Sequence, residues 1–192
     1  MERLVIAITG ASGAAYGVVA LRLAHQLGVE THLIVSRAGS LTIAQETTLT
    51  VDDVSALADN VYSADDIAAP IASGSYATSG MLVAPCSMRT LAEVAQGVSG
   101  SLISRAADVA LKERRRLVLI TREAPLTSIH LTNMLAVTQA GGIIFPPVPA
   151  FFTAPATIDD MVTQTVARAL SLFNWVVPGL RSWGDEPSNS GM

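Results

Sequence analysis

Half of the chain's cationic charge stands in one segment. From Arg105 to Leu126 the sequence Arg-Ala-Ala-Asp-Val-Ala-Leu-Lys-Glu-Arg-Arg-Arg-Leu-Val-Leu-Ile-Thr-Arg-Glu-Ala-Pro-Leu holds six of the twelve Lys and Arg residues, in a chain whose formal net charge is -4. So local a concentration calls for a small anionic ligand, such as a phosphorylated one, and not for a nucleic acid or another extended polyanion. Within it, Arg122-Glu123 follows an apolar run, where an adjacent cation and carboxylate could hold an anion and move a proton. The alternative for that dipeptide is a surface ion pair. Lys112 to Arg116 also suit the end of a helix, where positive charge matches the dipole.

Two further turns carry groups of the same kind. Leu4-Val-Ile-Ala-Ile-Thr-Gly-Ala-Ser-Gly runs from an apolar strand into a turn that opens a helix, so backbone N–H groups around Gly10, Ala11 and Ser12 could face an anion. A tight strand-to-helix turn with no ligand would use the same glycines. The turn lacks a complete G-x-G-x-x-G and lacks the P-loop lysine, which disfavours NAD and ATP and leaves a mononucleotide such as FMN. Pro85-Cys-Ser-Met-Arg-Thr-Leu brings the hydroxyls of Ser87 and Thr90, the cation of Arg89 and a helix start together; it reads as a phosphate site or as an ordinary N-cap.

Other reactive types lack partners at useful spacing. Cys86 is the lone cysteine and reads as a buried structural thiol in an apolar turn. His130 lies in a helical stretch without a second His or Cys at ligand spacing, so it reads as structural and no metal is expected. No serine pairs with a His and an Asp in a hydrolase arrangement.

These groups must be positioned by elements, and the periodicity predicts them. Apolar runs predict strands over Leu4 to Thr9, Thr31 to Val35, Met81 to Ala84, Leu117 to Thr121 and Gly142 to Phe145. Longer segments predict helices over Ala14 to Leu27, Arg37 to Gln45, Met88 to Gln96, Ser101 to Glu113, Thr127 to Ala140 and Ile158 to Phe173, the last capped by Thr157. The alternation predicts an α/β fold with a parallel sheet covered on both faces. Ligands then gather at the carboxyl ends of the strands, at the turns beginning at Gly10, Ser36-Arg37, Pro85, Arg122 and Pro146. Ala64 to Gly80 and Pro146 to Pro155 follow neither period and are expected to be loops bordering a site.

Length and composition bound the rest. With 192 residues, half of them apolar, one domain over 1–178 is expected, followed by a flexible tail over 179–192. The apolar runs stop well short of the roughly 18 residues of a membrane span, and the start of the chain has no apolar leader, so a cytoplasmic protein is expected. Few charges and much apolar surface point to an oligomer.

Taken in order, Thr9-Gly-Ala-Ser-Gly, Pro85-Cys-Ser-Met-Arg-Thr-Leu, Arg105-Ala-Ala-Asp-Val-Ala-Leu-Lys-Glu-Arg-Arg, Arg122-Glu-Ala-Pro-Leu and Ile129-His-Leu-Thr-Asn-Met-Leu resemble the UbiX-type flavin prenyltransferases over Leu4 to Leu172. The resemblance implies a flavodoxin-like, Rossmann-type three-layer fold and a homododecamer with active sites between subunits. It implies transfer of a dimethylallyl group from dimethylallyl phosphate to N5 and C6 of reduced FMN, without a metal. Prenylated FMN, the product, serves UbiD-type decarboxylases. By motif position it implies FMN binding by Gly10, Ala11, Ser12, Ser36, Ser87, Met88, Arg89, Thr90 and Arg122, with Ser12 near N5 and Glu46 managing proton transfer. Lys112, Arg122 and Arg168 would hold the prenyl phosphate, and Glu123 would protonate it as it leaves.

The resemblance fails at three positions. Phe152 stands where the family usually has Tyr, removing a hydroxyl from the prenyl phosphate site; Ser101 replaces a common Asn, and Ile67 a Trp that some members place over the donor. Two other readings are a non-catalytic carrier of FMN or prenylated FMN, and a cysteine-decarboxylase-like flavoprotein. The latter needs a catalytic His before the third strand, and this chain has none between His32 and His130.

Overall fold

The structure is a computed structural model and describes residues 2–184. Its sheet is made by β1 (Arg3–Ile8), β2 (Glu30–Val35), β3 (Asn60–Ser63), β4 (Gly80–Cys86), β5 (Arg116–Thr121) and β6 (Ile143–Ile144), all parallel, in the order β3-β2-β1-β4-β5-β6. Around it run α1 (Ala14–Gln26), α2 (Arg37–Glu46), α3 (Val51–Ser55), α4 (Met88–Ala95), α5 (Leu102–Lys112), α6 (Ser128–Gln139) and α7 (Ile158–Ser171).

Successive strand residues point to opposite faces, so each central strand feeds two cores. Leu4, Ile6, Ile8, Leu82, Val118 and Ile120 pack with α1 and α7, whereas Val5, Ala7, Met81, Val83, Leu117 and Leu119 pack with α4, α5 and α6. Both faces are covered, which is why these strands read as continuous apolar runs. Each fully buried Leu or Ile contributes roughly 1.5–3 kcal/mol relative to exposure.

The helix starts agree with the sequence chemistry. Ser36, Ser87, Ser101, Thr127 and Thr157 each accept the backbone N–H of the residue three positions on, and the Asp160 carboxylate returns the bond to Thr157. His130 completes such a box at α6, its Nδ1 accepting from the Thr127 amide.

Several expectations need correction. The edge strand β3 and the short α3 were not anticipated: β3 alternates half-buried and exposed residues, so it lacks the apolar run that marked the other strands, and α3 is shorter than two turns. The fourth strand passes Ala84 and Pro85 to end at Cys86, placing the cysteine in the sheet and not in a turn. Burial pushes its thiol far up, out of the reactive range. The two expected loops each contain a short 3₁₀ turn, Pro70–Ala72 and Phe151–Thr153.

Of the expected tail, 179–184 are described and return to the domain: Gln164 Nε2 donates to Gly179 O (2.7 Å), and Arg181 Nη1 to Thr153 O (2.8 Å). The part over 185–192 lies outside the described residues. Among the described residues, no helix is long and apolar enough to cross a membrane, and no group of three His, Cys, Asp or Glu side chains could hold a metal ion.

Candidate functional site

The strand order reverses at β1, whose neighbours are β2 on one side and β4 on the other. A crevice opens at the carboxyl ends of strands at such a point. Thr9, just past β1, stitches its two lips: Oγ1 donates to Pro85 O (2.7 Å) and accepts from Ser87 N (2.8 Å). Across it, a Cβ at Gly10 would collide with the Ala38 side chain, so the glycine lets the first turn of α2 close against the β1 loop.

Two helix starts therefore meet in one cleft of about 230 Å³, lined by Gly10, Ser36, Arg37, Ser87, Arg89 and Thr90. Ser36 Oγ accepts from Gly39 N (2.9 Å) and Ser87 Oγ from Thr90 N (3.3 Å). Each cap spends a lone pair in this way, and the Ser87 and Thr90 hydroxyls share a further hydrogen bond (3.1 Å). First-turn N–H groups of both helices lack intrahelical acceptors, and both dipoles present their positive ends. Two such helix starts facing one cleft can hold a phosphate. Arg89 lies at its rim, with Nε 3.0 Å from Glu93 Oε1 and a largely exposed side chain. Met88 packs into the core beneath, and Ala11 is buried in the adjacent turn.

At the end of the β1 turn the chain itself supplies an anion: Glu46 Oε2 accepts from Gly13 N (2.7 Å) and Ala14 N (2.9 Å), the amides that follow Gly10, Ala11 and Ser12. Burial pushes the Glu46 carboxyl up, yet the amides of Gly13 and Ala14, the Ser12 hydroxyl and the Arg122 cation together hold it below the usual carboxylate range. Ser12, Glu46 and Arg122 thus form one electrostatic unit. Tyr16 joins it, its phenol raised by burial against the opposing pull of Arg122.

Arg122 follows β5, and its amide donates to Cys86 O (3.3 Å). Among the described ion pairs none joins it to Glu123, whose Oε1 accepts from the Ala124 amide (3.0 Å). The side chain of Glu123 is exposed and that of Arg122 serves Glu46. One residue earlier, Thr121 Oγ1 is buried without a hydrogen-bond partner, a polar atom left open beside the crevice.

The remaining expected groups do not gather here within one chain. Lys112 ends α5, before β5 begins at Arg116, while Arg122 follows the end of β5. Six strand residues span roughly 16–20 Å, so the lysine belongs to the opposite edge of the sheet, where it pairs with Glu113. Arg168 bonds Ser171 Oγ (2.8 Å) near the end of α7. The half-exposed Phe152 meets the Trp183 ring edge-on at 5.5 Å.

Sequence reasoning passed over Thr9 and Tyr16 as individual site residues and gave Arg37 only as part of a turn. Thr9 lies in the Thr9-Gly-Ala-Ser-Gly motif, but nothing local signals that its hydroxyl spans to a strand 76 residues away.

A family model described as Flavoprotein matches residues 1–170. The chain is 55% identical to the flavin prenyltransferase UbiX of Neisseria meningitidis serogroup B over 183 residues, 95% of this chain and 97% of that one. Among solved structures, AnUbiX (PadA1) in complex with FMN and dimethylallyl pyrophosphate superposes with a TM-score of 0.93 at 50% identity, covering 95% of this chain and 97% of that one. A dodecameric FMN-dependent Ubix-like decarboxylase from Escherichia coli O157:H7 superposes with a TM-score of 0.92 at 48% identity, covering 95% and 99%.

Proposed function

The chain belongs to the flavoprotein family and, within it, to the UbiX-type flavin prenyltransferases, and from that membership we propose that it joins a dimethylallyl group from dimethylallyl phosphate to N5 and C6 of reduced FMN. The product, prenylated FMN, is handed to a UbiD-type decarboxylase. The observation that carries the reading is the meeting of two serine-capped helix starts beside the Ser12–Glu46–Arg122 unit at the sheet's reversal point.

The residues present fit FMN. Ser36, Ser87, Thr90 and Arg89, with Arg37, suit its phosphate, while Gly10, Ala11, Ser12, Met88 and Arg122 border the space beyond. When bound, reduced FMN supplies the electron-rich ring that accepts the dimethylallyl group. Glu46, kept anionic, holds Ser12 and is placed to take a proton through that hydroxyl. Arg122 stabilises negative charge on the prenyl phosphate as the carbon–oxygen bond breaks. Glu123, exposed and not tied to Arg122, takes a proton from solvent and passes it to the leaving phosphate.

Lys112 reaches a donor site only in an assembly, so it serves a neighbouring subunit's site, with Arg168 and the Phe152 loop bordering the donor. A dodecamer agrees with the exposed apolar side chains of α6, Ile129, Leu131 and Leu135, and with the dodecameric neighbour. The location is cytoplasmic.

The test is anaerobic incubation with reductant, FMN and dimethylallyl phosphate or diphosphate, followed by mass analysis of the flavin. A gain of one five-carbon unit is expected; an unchanged flavin that is demonstrably bound would overturn the prenyltransferase reading. Fractionation of cells and sedimentation of the purified protein test location and assembly.

A further inference from the structure

The start of α5 and the turn that follows the helix both hold the loop that leads from the 3₁₀ turn at Pro70–Ala72 to β4. Arg105 Nε donates to Ala72 O (3.0 Å), while Arg115 donates through Nη2 to Gly74 O (2.5 Å) and through Nη1 to Tyr76 O (2.7 Å). On its other side the loop is pinned by Tyr76, which meets the buried His32 ring edge-on at 5.4 Å and lies under the Arg3 guanidinium at 4.8 Å. The backbone at Gly74 is therefore a fixed wall.

Against that wall lies the Lys112–Glu113 pair. A Cβ at Gly74 would fall 2.6 Å from Lys112 Nζ and closer still to Glu113 Oε1. Gly74 is not among the positive-φ glycines, so its backbone would accept alanine, and what the glycine provides is room. A lysine at a helix end otherwise samples many rotamers on its four-carbon stem. Here the carboxylate on one side and bare backbone on the other restrict it. The Lys112 hydrogen bond and charge hold the Glu113 carboxyl below its usual range, so the ammonium keeps an anionic partner until a phosphate replaces it.

We propose that Gly74 is a positioning residue for the donor reaction: by lacking a side chain it lets Lys112 rest pre-oriented on the 72–76 loop, from which its ammonium engages the prenyl phosphate in the adjoining subunit's site. This rests on the reading of Lys112 as a donor ligand given above. The atoms that an added methyl would displace are the ends of two flexible side chains, so the substitution perturbs orientation and not the fold.

The experiment is steady-state prenylation at saturating reduced FMN by the intact oligomer, comparing wild type, Gly74→Ala, Lys112→Ala and the double variant, with FMN affinity, thermal midpoint and sedimentation measured on each. Gly74→Ala is expected to raise the Michaelis constant for dimethylallyl phosphate roughly three- to tenfold, the cost of immobilising one long side chain. FMN affinity, thermal midpoint and assembly stay at wild-type values, and the effect vanishes when Lys112 is already alanine. A wild-type donor constant in Gly74→Ala, with Lys112→Ala impaired, overturns the positioning role alone. Wild-type constants in both overturn the reading of Lys112 and the inference together. A lowered midpoint, a dissociated oligomer, or an equal effect in the Lys112→Ala background assigns Gly74 a structural role and overturns the inference.

Discussion

The Glu46 carboxylate lies 2.7 Å from the amide nitrogen of Gly13, so the last residue of α2 supplies the anion at the first turn of α1. A carboxylate at that position gains from the helix dipole and from two N–H donors. It also occupies the amides that open α1, while the starts of α2 and α4 line the cleft.

Glu46→Gln should therefore impair turnover far more than FMN affinity. Because the folded-state pKa of Glu46 is depressed, its stabilisation is present above the ordinary carboxylate range and is lost as pH falls through the lowered value. Wild type is expected to exceed the variant near neutrality by about 0.3–1 kcal/mol, with the two converging in acid. Thermal denaturation across pH, with flavin titration at neutral pH, checks both parts.

Thr9→Val should loosen the crevice without touching ligand directly. It keeps the shape but leaves Pro85 O with one donor fewer and Ser87 N without its acceptor. The expected cost is about 1–3 kcal/mol of stability, together with weaker FMN binding as the start of α4 shifts. Denaturant unfolding and fluorescence quenching of FMN measure the two; an unchanged FMN dissociation constant would remove Thr9 from the organisation of the site.

His32 gives the protein an acid-side sensitivity of its own. The ring is fully buried, with Nδ1 3.0 Å from the Tyr62 hydroxyl and Nε2 3.4 Å from both the Tyr76 hydroxyl and Glu30 Oε1. Burial pushes its pKa down, Glu30 and Asp59 oppose that, and Arg3 assists it. The folded protein thus binds fewer protons at this site than the unfolded chain once pH falls below about 6.5, the unperturbed value. Stability should drop from there toward the lowered pKa, by at most about 1.4 kcal/mol per pH unit. His32→Asn should flatten that slope in thermal melts between neutral and mildly acidic pH.

Phe152→Tyr restores the hydroxyl expected at that position by resemblance. If the phenol reaches the prenyl phosphate, donor binding tightens by up to about 1–2 kcal/mol, since bonds to charged groups exceed neutral ones, while FMN affinity stays put. The Phe152 ring already packs edge-on against Trp183, so Trp183→Ala in the same assay separates a loss of ring placement from a missing hydroxyl. Equal donor Michaelis constants in wild type and Phe152→Tyr would take position 152 out of the phosphate site.

The sequence by itself determined the elements and the chemistry each could carry. Burial on both faces writes strands as apolar runs, and cap chemistry writes helix starts as Ser or Thr, so β1, β4, β5 and the starts at Ser36, Ser87 and Thr157 were legible without coordinates. The segments Gly10 to Ser12, Ser87 to Thr90 and Arg122-Glu123 stood out because their residue types serve phosphate and proton chemistry. The edge strand β3 was not legible, since a half-exposed strand carries no apolar run.

Only the tertiary structure decided how those residues divide the work. Which N–H groups meet Glu46 and which stay open to a ligand depends on α2 crossing the β1 turn, a contact between residues 33 apart. The separation of Lys112 from Arg122 follows from the length and direction of β5, and the bond from Thr9 to the Pro85 carbonyl from the pairing of β1 with β4. Such contacts leave no local trace, because neither a hydroxyl nor a carboxylate carries in its neighbours the identity of the distant backbone group it satisfies.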